Sequence, residues 1–173
     1  MSERLLRVAR RIRDELNELA RVLDRAQEGW RRAQRSSDDF YLDGVALNLH
    51  GLYAGLERLF AVIGATVDGT VPQGANWHQV LLEQMTTEIL PLRPAVISDE
   101  TREALDEYRG FRHVVRNVYT FKFDPLKVQN LVEGAPGVFS QVRAELLAFA
   151  DFLEQQARTQ CVPAGTAAHG GAE

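Results

Sequence analysis

Cysteine is nearly absent from this chain, and lysine almost as scarce. Cys161 is the single cysteine among 173 residues, and only Lys122 and Lys127 of the twenty basic residues are not arginine. A lone cysteine excludes an internal disulfide and agrees with a reducing compartment. No grouping of Cys, His, Asp and Glu has metal-ligand spacing, so neither a metal nor a cofactor is expected. No glycine-rich phosphate loop or dinucleotide fingerprint is present. No apolar run approaches the roughly 18 residues that a membrane span needs. The opening Met1-Ser2-Glu3-Arg4 has no apolar h-region behind it, so a cytoplasmic protein with no membrane partner is the expectation. Period-two alternation and internal repeats are also missing, which leaves little room for a sheet. A net charge of −4 does not suggest bulk nucleic-acid binding.

What is present is helical periodicity. With 45 % hydrophobic and 25 % charged residues, the chain has the make-up of one ordinary globular domain. Residues 3–35 repeat Leu5, Val8, Ile12, Leu16, Leu19, Leu23, Ala26 and Trp30 at helical spacing. This segment holds ten of the twenty basic residues, interleaved with six acids, so its outer face reads as solvated. Ser36-Ser37-Asp38-Asp39 is a break and a new N-cap. A second helix is predicted over about 38–66, where Gly44, Gly51 and Gly55 point to close approach of a neighbour. A loop follows at 68–74, then a short helix from Asn76 to about Thr87 and an ordered connector, Leu90-Pro91-Leu92-Arg93-Pro94. Ser98-Asp99-Glu100 caps a helix over about 99–120. Asp124-Pro125 starts another, with proline at its first position. Gly134-Ala135-Pro136-Gly137 is expected to interrupt that helix before a final segment to about Ala157. The expected architecture is an all-α, antiparallel up-and-down bundle of about five helices in a single domain, residues 1–157, followed by a disordered tail at 158–173.

Residues 109–119 concentrate the polar chemistry: Arg109, Arg112, His113, Arg116, Asn117 and Tyr119, on a helix whose buried stripe runs through Leu105, Tyr108, Phe111, Val114, Val115 and Val118. Helical spacing puts Arg109, His113 and Arg116 on one face, and Arg112, Arg116 and Tyr119 on an overlapping row. Two readings stand. One is a solvated face whose arginines pair with nearby carboxylates. The other is an anion site, because guanidinium forks match phosphate oxygens two at a time. The absence of any acid between Tyr108 and Thr120 leaves the arginines without a partner inside that stretch and favours the second.

These residues carry a resemblance. The phrase Phe111-Arg112-His113-Val114-Val115-Arg116-Asn117-Val118-Tyr119, followed by Phe121-Lys122-Phe123-Asp124-Pro125, resembles one branch of the HepT-like toxins of the HEPN superfamily. Asn48 to Arg58 and Asn76-Trp77-His78 fit the same branch, so the resemblance spans about residues 3–157. The family signature is arginine, a polar residue, three further positions, histidine, any residue and tyrosine. Arg112 falls on the arginine, His113 on the polar position and Tyr119 on the tyrosine. Asn117 occupies the usual histidine position, and asparagine exchanges no proton near neutral pH.

The resemblance implies a metal-independent endoribonuclease that cleaves RNA through its 2′-hydroxyl, works as a homodimer and is neutralised by a nucleotidyltransferase antitoxin of the MNT type. His113 would then take the proton-transfer role, for which histidine is suited. Arg112 and Arg116 would balance phosphoryl charge with Arg109 as a helper, and Asn117 would orient a hydroxyl or water. Tyr119 would be the acceptor of AMP from the antitoxin, a modification that fills the anion site. The alternative is a non-catalytic HEPN-fold module that binds a nucleotide or a partner without turnover. Among the remaining residues, His50 reads as structural, His78 as either functional or structural, and Trp30 and Trp77 as core or interface.

Overall fold

The computed structural model describes residues 2–36, 38, 40–117 and 123–160, and for 116 and 117 the backbone only. Five α-helices account for most of them: α1 (Ser2–Ser36), α2 (Phe40–Ile63), α3 (Trp77–Thr86), α4 (Asp99–Asn117) and α5 (Pro125–Thr159). A π-helical turn, Gly64–Asp68, extends α2 and closes at Gly69, whose left-handed backbone (φ 74°) suits glycine. Among the described residues there is no strand, only one isolated bridge between Ile89 and Arg93 inside the connector. The all-α bundle expected from the periodicity is the observed architecture. No described helix is long and apolar enough to cross a membrane.

The helix starts follow their local chemistry. Asp38 Oδ1 accepts the Phe40 amide at 3.0 Å, Ser98 Oγ accepts that of Thr101 at 3.2 Å, and Asp124 Oδ1 accepts that of Leu126 at 3.0 Å. Each satisfies a donor that the first turn of a helix leaves without a partner. The apolar stripe of α1, from Leu5 to Ala26, is buried as its spacing requires. It packs between α2 and α5. Both neighbours run antiparallel to it: Leu19 lies against Gly55 while Gly29 lies near Val45, and Arg13 reaches Asp151 while Gln27 reaches Val132.

Of the three glycines expected to admit a neighbouring helix, Gly55 does so most closely. A Cβ there would collide with the Leu19 side chain. At Gly51 it would meet Val22 at an ordinary 3.8 Å, and at Gly44 it would meet nothing. The expectation therefore holds at Gly55 and fails at Gly44, which faces open space.

The expected interruption at Gly134-Ala135-Pro136-Gly137 does not occur. α5 is one continuous helix through Pro136, ending at Thr159, two residues beyond the expected stop. Proline removes the amide that would bond the carbonyl four residues earlier, here that of Val132. In this fold the side chain of Gln27, on α1, donates to the Val132 carbonyl instead (Nε2 to O, 2.5 Å). The adjacent Leu131 carbonyl also accepts from Tyr108 Oη, on α4, at 2.8 Å. Tertiary donors thus occupy the turn that proline weakens. The tail from residue 161 lies outside the described residues, as do 118–122.

Gln27→Leu removes the substitute donor and is expected to lower stability by about 1–3 kcal/mol, read by urea unfolding. The loss should shrink in a Pro136→Ala background, where the backbone amide returns; equal losses in both backgrounds would contradict the exchange of donors. Burial pushes the Tyr108 phenol up to about 12. The folded protein therefore holds that proton more tightly than the unfolded chain, so the contribution of Tyr108 is complete below about pH 10 and is lost as pH rises toward 12. Urea midpoints between pH 9 and 11 should fall less for Tyr108→Phe than for the wild-type chain.

Candidate functional site

The site is built on a carboxylate where the core pattern of α2 calls for an apolar residue. Glu57 lies among Tyr53, Leu56, Leu59 and Phe60, and its side chain is only 7 % exposed. A carboxylate so placed must be paired. It holds two groups from two other helices: Oε2 lies 2.6 Å from Nδ1 of His78, at the start of α3, and Oε1 lies 3.4 Å from Nη2 of Arg112, on α4. Arg112 Nη1 closes the triangle at 3.2 Å from His78 Nε2. The hydrogen-bond set assigns the tautomer: Nδ1–H donates to Glu57, and Nε2 accepts from the guanidinium. Arg112 Nε is buried without a partner among the described residues.

α3 is held in place from its other end. Arg93, 1 % exposed, uses all five of its N–H donors: on Asp68 Oδ1 (2.5 Å) and Oδ2 (2.7 Å), and on the carbonyls of Gln84, Thr87 and Pro94. Gln84 adds a bond to Asp68 at 2.6 Å. The C-terminus of α3, the connector and the π turn are therefore tied to one buried ion pair. Its satisfied donors and acceptors offset the cost of desolvating two charges. Neither Glu57 nor the Arg93–Asp68 pair was singled out from the sequence. The available signal was a charged residue standing in the apolar stripe of α2.

A cleft of about 540 Å³ opens beside this triangle, lined by Ala75, Asn76, His78, Gln79, Arg109, Arg112 and His113. The fold thus brings together three residues of the 109–119 motif and adds His78 from a distant segment. Arg116 and Asn117 lie on the last turn of α4, and their side chains, with all of Tyr119, fall outside the described residues. Of the expected stripe, Leu105, Tyr108 and Phe111 are buried and Val114 and Val115 only partly so. Arg109 corrects one expectation. It has an acid on its own helix: Asp106, one turn earlier, accepts from Nε at 2.6 Å and Nη2 at 3.2 Å. Those two bonds hold the Asp106 carboxyl below the ordinary aspartate range and push the Arg109 guanidinium up. The stretch free of acids begins at Tyr108, two residues after Asp106, and Asp106 is within a helical turn's reach of Arg109. Arg112 is paired too, but with Glu57 of α2 across the sequence.

Arg112 differs from Arg109 in what it leaves unused. Its contacts with Glu57 and His78 are long, and its buried Nε has no described partner, so an anion that drew the guanidinium toward the cleft would cost it little bonding. Tyr53 lies one turn before Glu57; burial, reinforced by the Glu57 charge, pushes its phenol well above the ordinary range against the pull of Arg109 and Arg112. A larger groove of about 990 Å³ runs along α1, but the arginines there stand among Asp14, Glu15 and Glu18 and it holds no histidine. Arg21–Glu18 and Arg58–Glu15 pairs fit the solvated-face reading of that helix. No group of three or more metal-ligating side chains occurs among the described residues.

Comparison with known proteins adds one finding. The model of the HepT-like protein family matches residues 44–153, from the second turn of α2 to near the end of α5, and so includes the whole triangle and cleft. Neither the curated proteins nor the solved structures contain a match. The matched span covers well over half of the chain and every string of residues quoted above for the resemblance. This chain belongs to the HepT-like family of the HEPN superfamily.

Proposed function

We propose that this protein is a HepT-like toxin, a metal-independent endoribonuclease held in check by a nucleotidyltransferase antitoxin. The observation that carries the reading is the α4 cleft, where a partly unsatisfied arginine and an exposed histidine stand side by side on one helix. RNA brings its own nucleophile, so the protein must remove the 2′-hydroxyl proton, balance charge on the phosphoryl oxygens and protonate the leaving oxygen. Arg112 is suited to the phosphoryl charge, as a half-buried fork of donors lining the cleft. His113, exposed at its rim, is suited to proton transfer. In this reading Arg116 extends the cationic face along the RNA backbone, Arg109 contributes field from its place beside Asp106, and Asn117 orients a hydroxyl or water. The protein acts in the cytoplasm as a homodimer that brings two α4 helices together.

The antitoxin transfers AMP to Tyr119 in this proposal. Tyr119 lies two residues after Asn117 in the sequence. An added nucleotide there brings a phosphate to the same arginines that would hold RNA, and so competes by charge and by bulk.

Purified wild-type protein is expected to cleave RNA in the presence of a chelator, with Arg112→Ala and His113→Ala each slowed by about 10²–10⁴-fold. Equal rates for all three proteins would overturn the site. Nucleotide binding with no cleavage by the wild type would favour instead a binding module without turnover, consistent with asparagine at position 117. Co-expression with a nucleotidyltransferase antitoxin of the MNT type should add one AMP, mapped by mass spectrometry to Tyr119 and absent from Tyr119→Phe; modification elsewhere, or none, would refute the switch.

A further inference from the structure

Proton transfer in this reaction needs both a base and an acid, and the 109–119 motif supplies one histidine. The cleft contains a second from the same chain. His78 reaches it from α3, with Nδ1 fixed by the buried Glu57 carboxylate and Nε2 turned toward Arg112. A carboxylate behind an imidazole fixes its tautomer, leaves the other nitrogen able to accept a proton and balances the charge that then forms. His78 is 21 % exposed, enough for its edge to line the cleft.

The Glu57 bonds to His78 and Arg112 join the helices, and the contact between Arg112 Nη1 and His78 Nε2 leaves the second imidazole nitrogen at the cleft behind one donor. The Arg112 guanidinium is a donor that a phosphate can draw away, since its fork matches two anionic oxygens at once whereas Nε2 offers it one neutral acceptor. Once Arg112 turns its fork to phosphate, Nε2 is left as a free acceptor beside the bound anion.

We propose that His78, oriented by Glu57, is the general base of this site and that His113 is its acid. This deepens the ribonuclease reading and rests on it. The 2′-oxygen bonds to phosphorus as its proton passes to His78 Nε2. The bond from phosphorus to the 5′-oxygen breaks, and that oxygen takes a proton from His113. The products are a 2′,3′-cyclic phosphate and a 5′-hydroxyl, and exchange with water restores both histidines. Glu57 is a positioning residue. The ionisable and charged groups around His78 are Glu57 and Tyr53 from α2 and Asp106, Arg109, Arg112 and His113 from α4; residues 74–82 of its own segment contain no other.

The test is a pH profile of kcat and KM on a short RNA in chelator, for the full chain and its His78→Gln and Glu57→Gln variants, with folding checked by circular dichroism. His78→Gln is expected to lower kcat by about 10²–10⁴-fold at nearly unchanged KM and to abolish the acid limb of the profile. Glu57→Gln keeps an acceptor for Nδ1–H but removes the balancing charge, and should move that limb to lower pH. Folded His78→Gln protein with wild-type kcat and both limbs intact would overturn this proposal and leave the ribonuclease reading standing. Failure of the wild type to cleave RNA would overturn both. If His78→Gln fails to fold, the Glu57→Gln profile decides, an unmoved acid limb refuting the assignment.

Discussion

One buried carboxylate organises the functional end of this bundle. Glu57 sits in the core face of α2, where an unpaired charge would cost several kcal/mol. It is tolerated because His78 and Arg112 converge on it from α3 and α4. The dependence is mutual. Without Glu57 the imidazole loses the partner that fixes its tautomer, and the guanidinium loses the acid that draws it inward beside the cleft. The same contact that joins three helices therefore also sets the chemistry of the groups that line the opening between them.

The remainder of the fold keeps that convergence in register. The Arg93–Asp68 pair ties the far end of α3 to the π turn, and with every guanidinium donor used it tolerates little movement. On the opposite side, α4 leans on α5 through the Tyr108 bond to the Leu131 carbonyl, next to the turn where Gln27 replaces the donor that Pro136 lacks. Two elements with weak local propensity, a ten-residue helix and a proline-bearing turn, are thus both stabilised by side chains from distant segments. Membership of the HepT-like family covers this whole region, from Gly44 to Leu153.

Much of this was legible without coordinates where the physics is local. A stripe at helical spacing has one way to be buried, so α1 ran where its leucines placed it. Aspartate or serine ahead of a helix satisfies amides within three residues, so the starts at Asp38, Ser98 and Asp124 were readable. Inference failed where a distant group alters a local rule. Pro136 should break a helix, but Gln27 lies 109 positions away in sequence and replaces the lost bond. Gly44 matches Gly55 in kind, yet only one of them faces Leu19.

The site divides along the same line. The sequence by itself determined the all-α class, the helix that carries Arg109, Arg112 and His113, and the resemblance that the family match then supported, since these depend on periodicity and on residues within a few turns of each other. Only the tertiary structure decided which groups those residues meet. Asp106 commits the fork of Arg109, Glu57 draws Arg112 inward, and His78 enters the cleft from 34 positions before Arg112. Charges pair by distance in space, and the distance between α2, α3 and α4 is set by how their apolar faces pack.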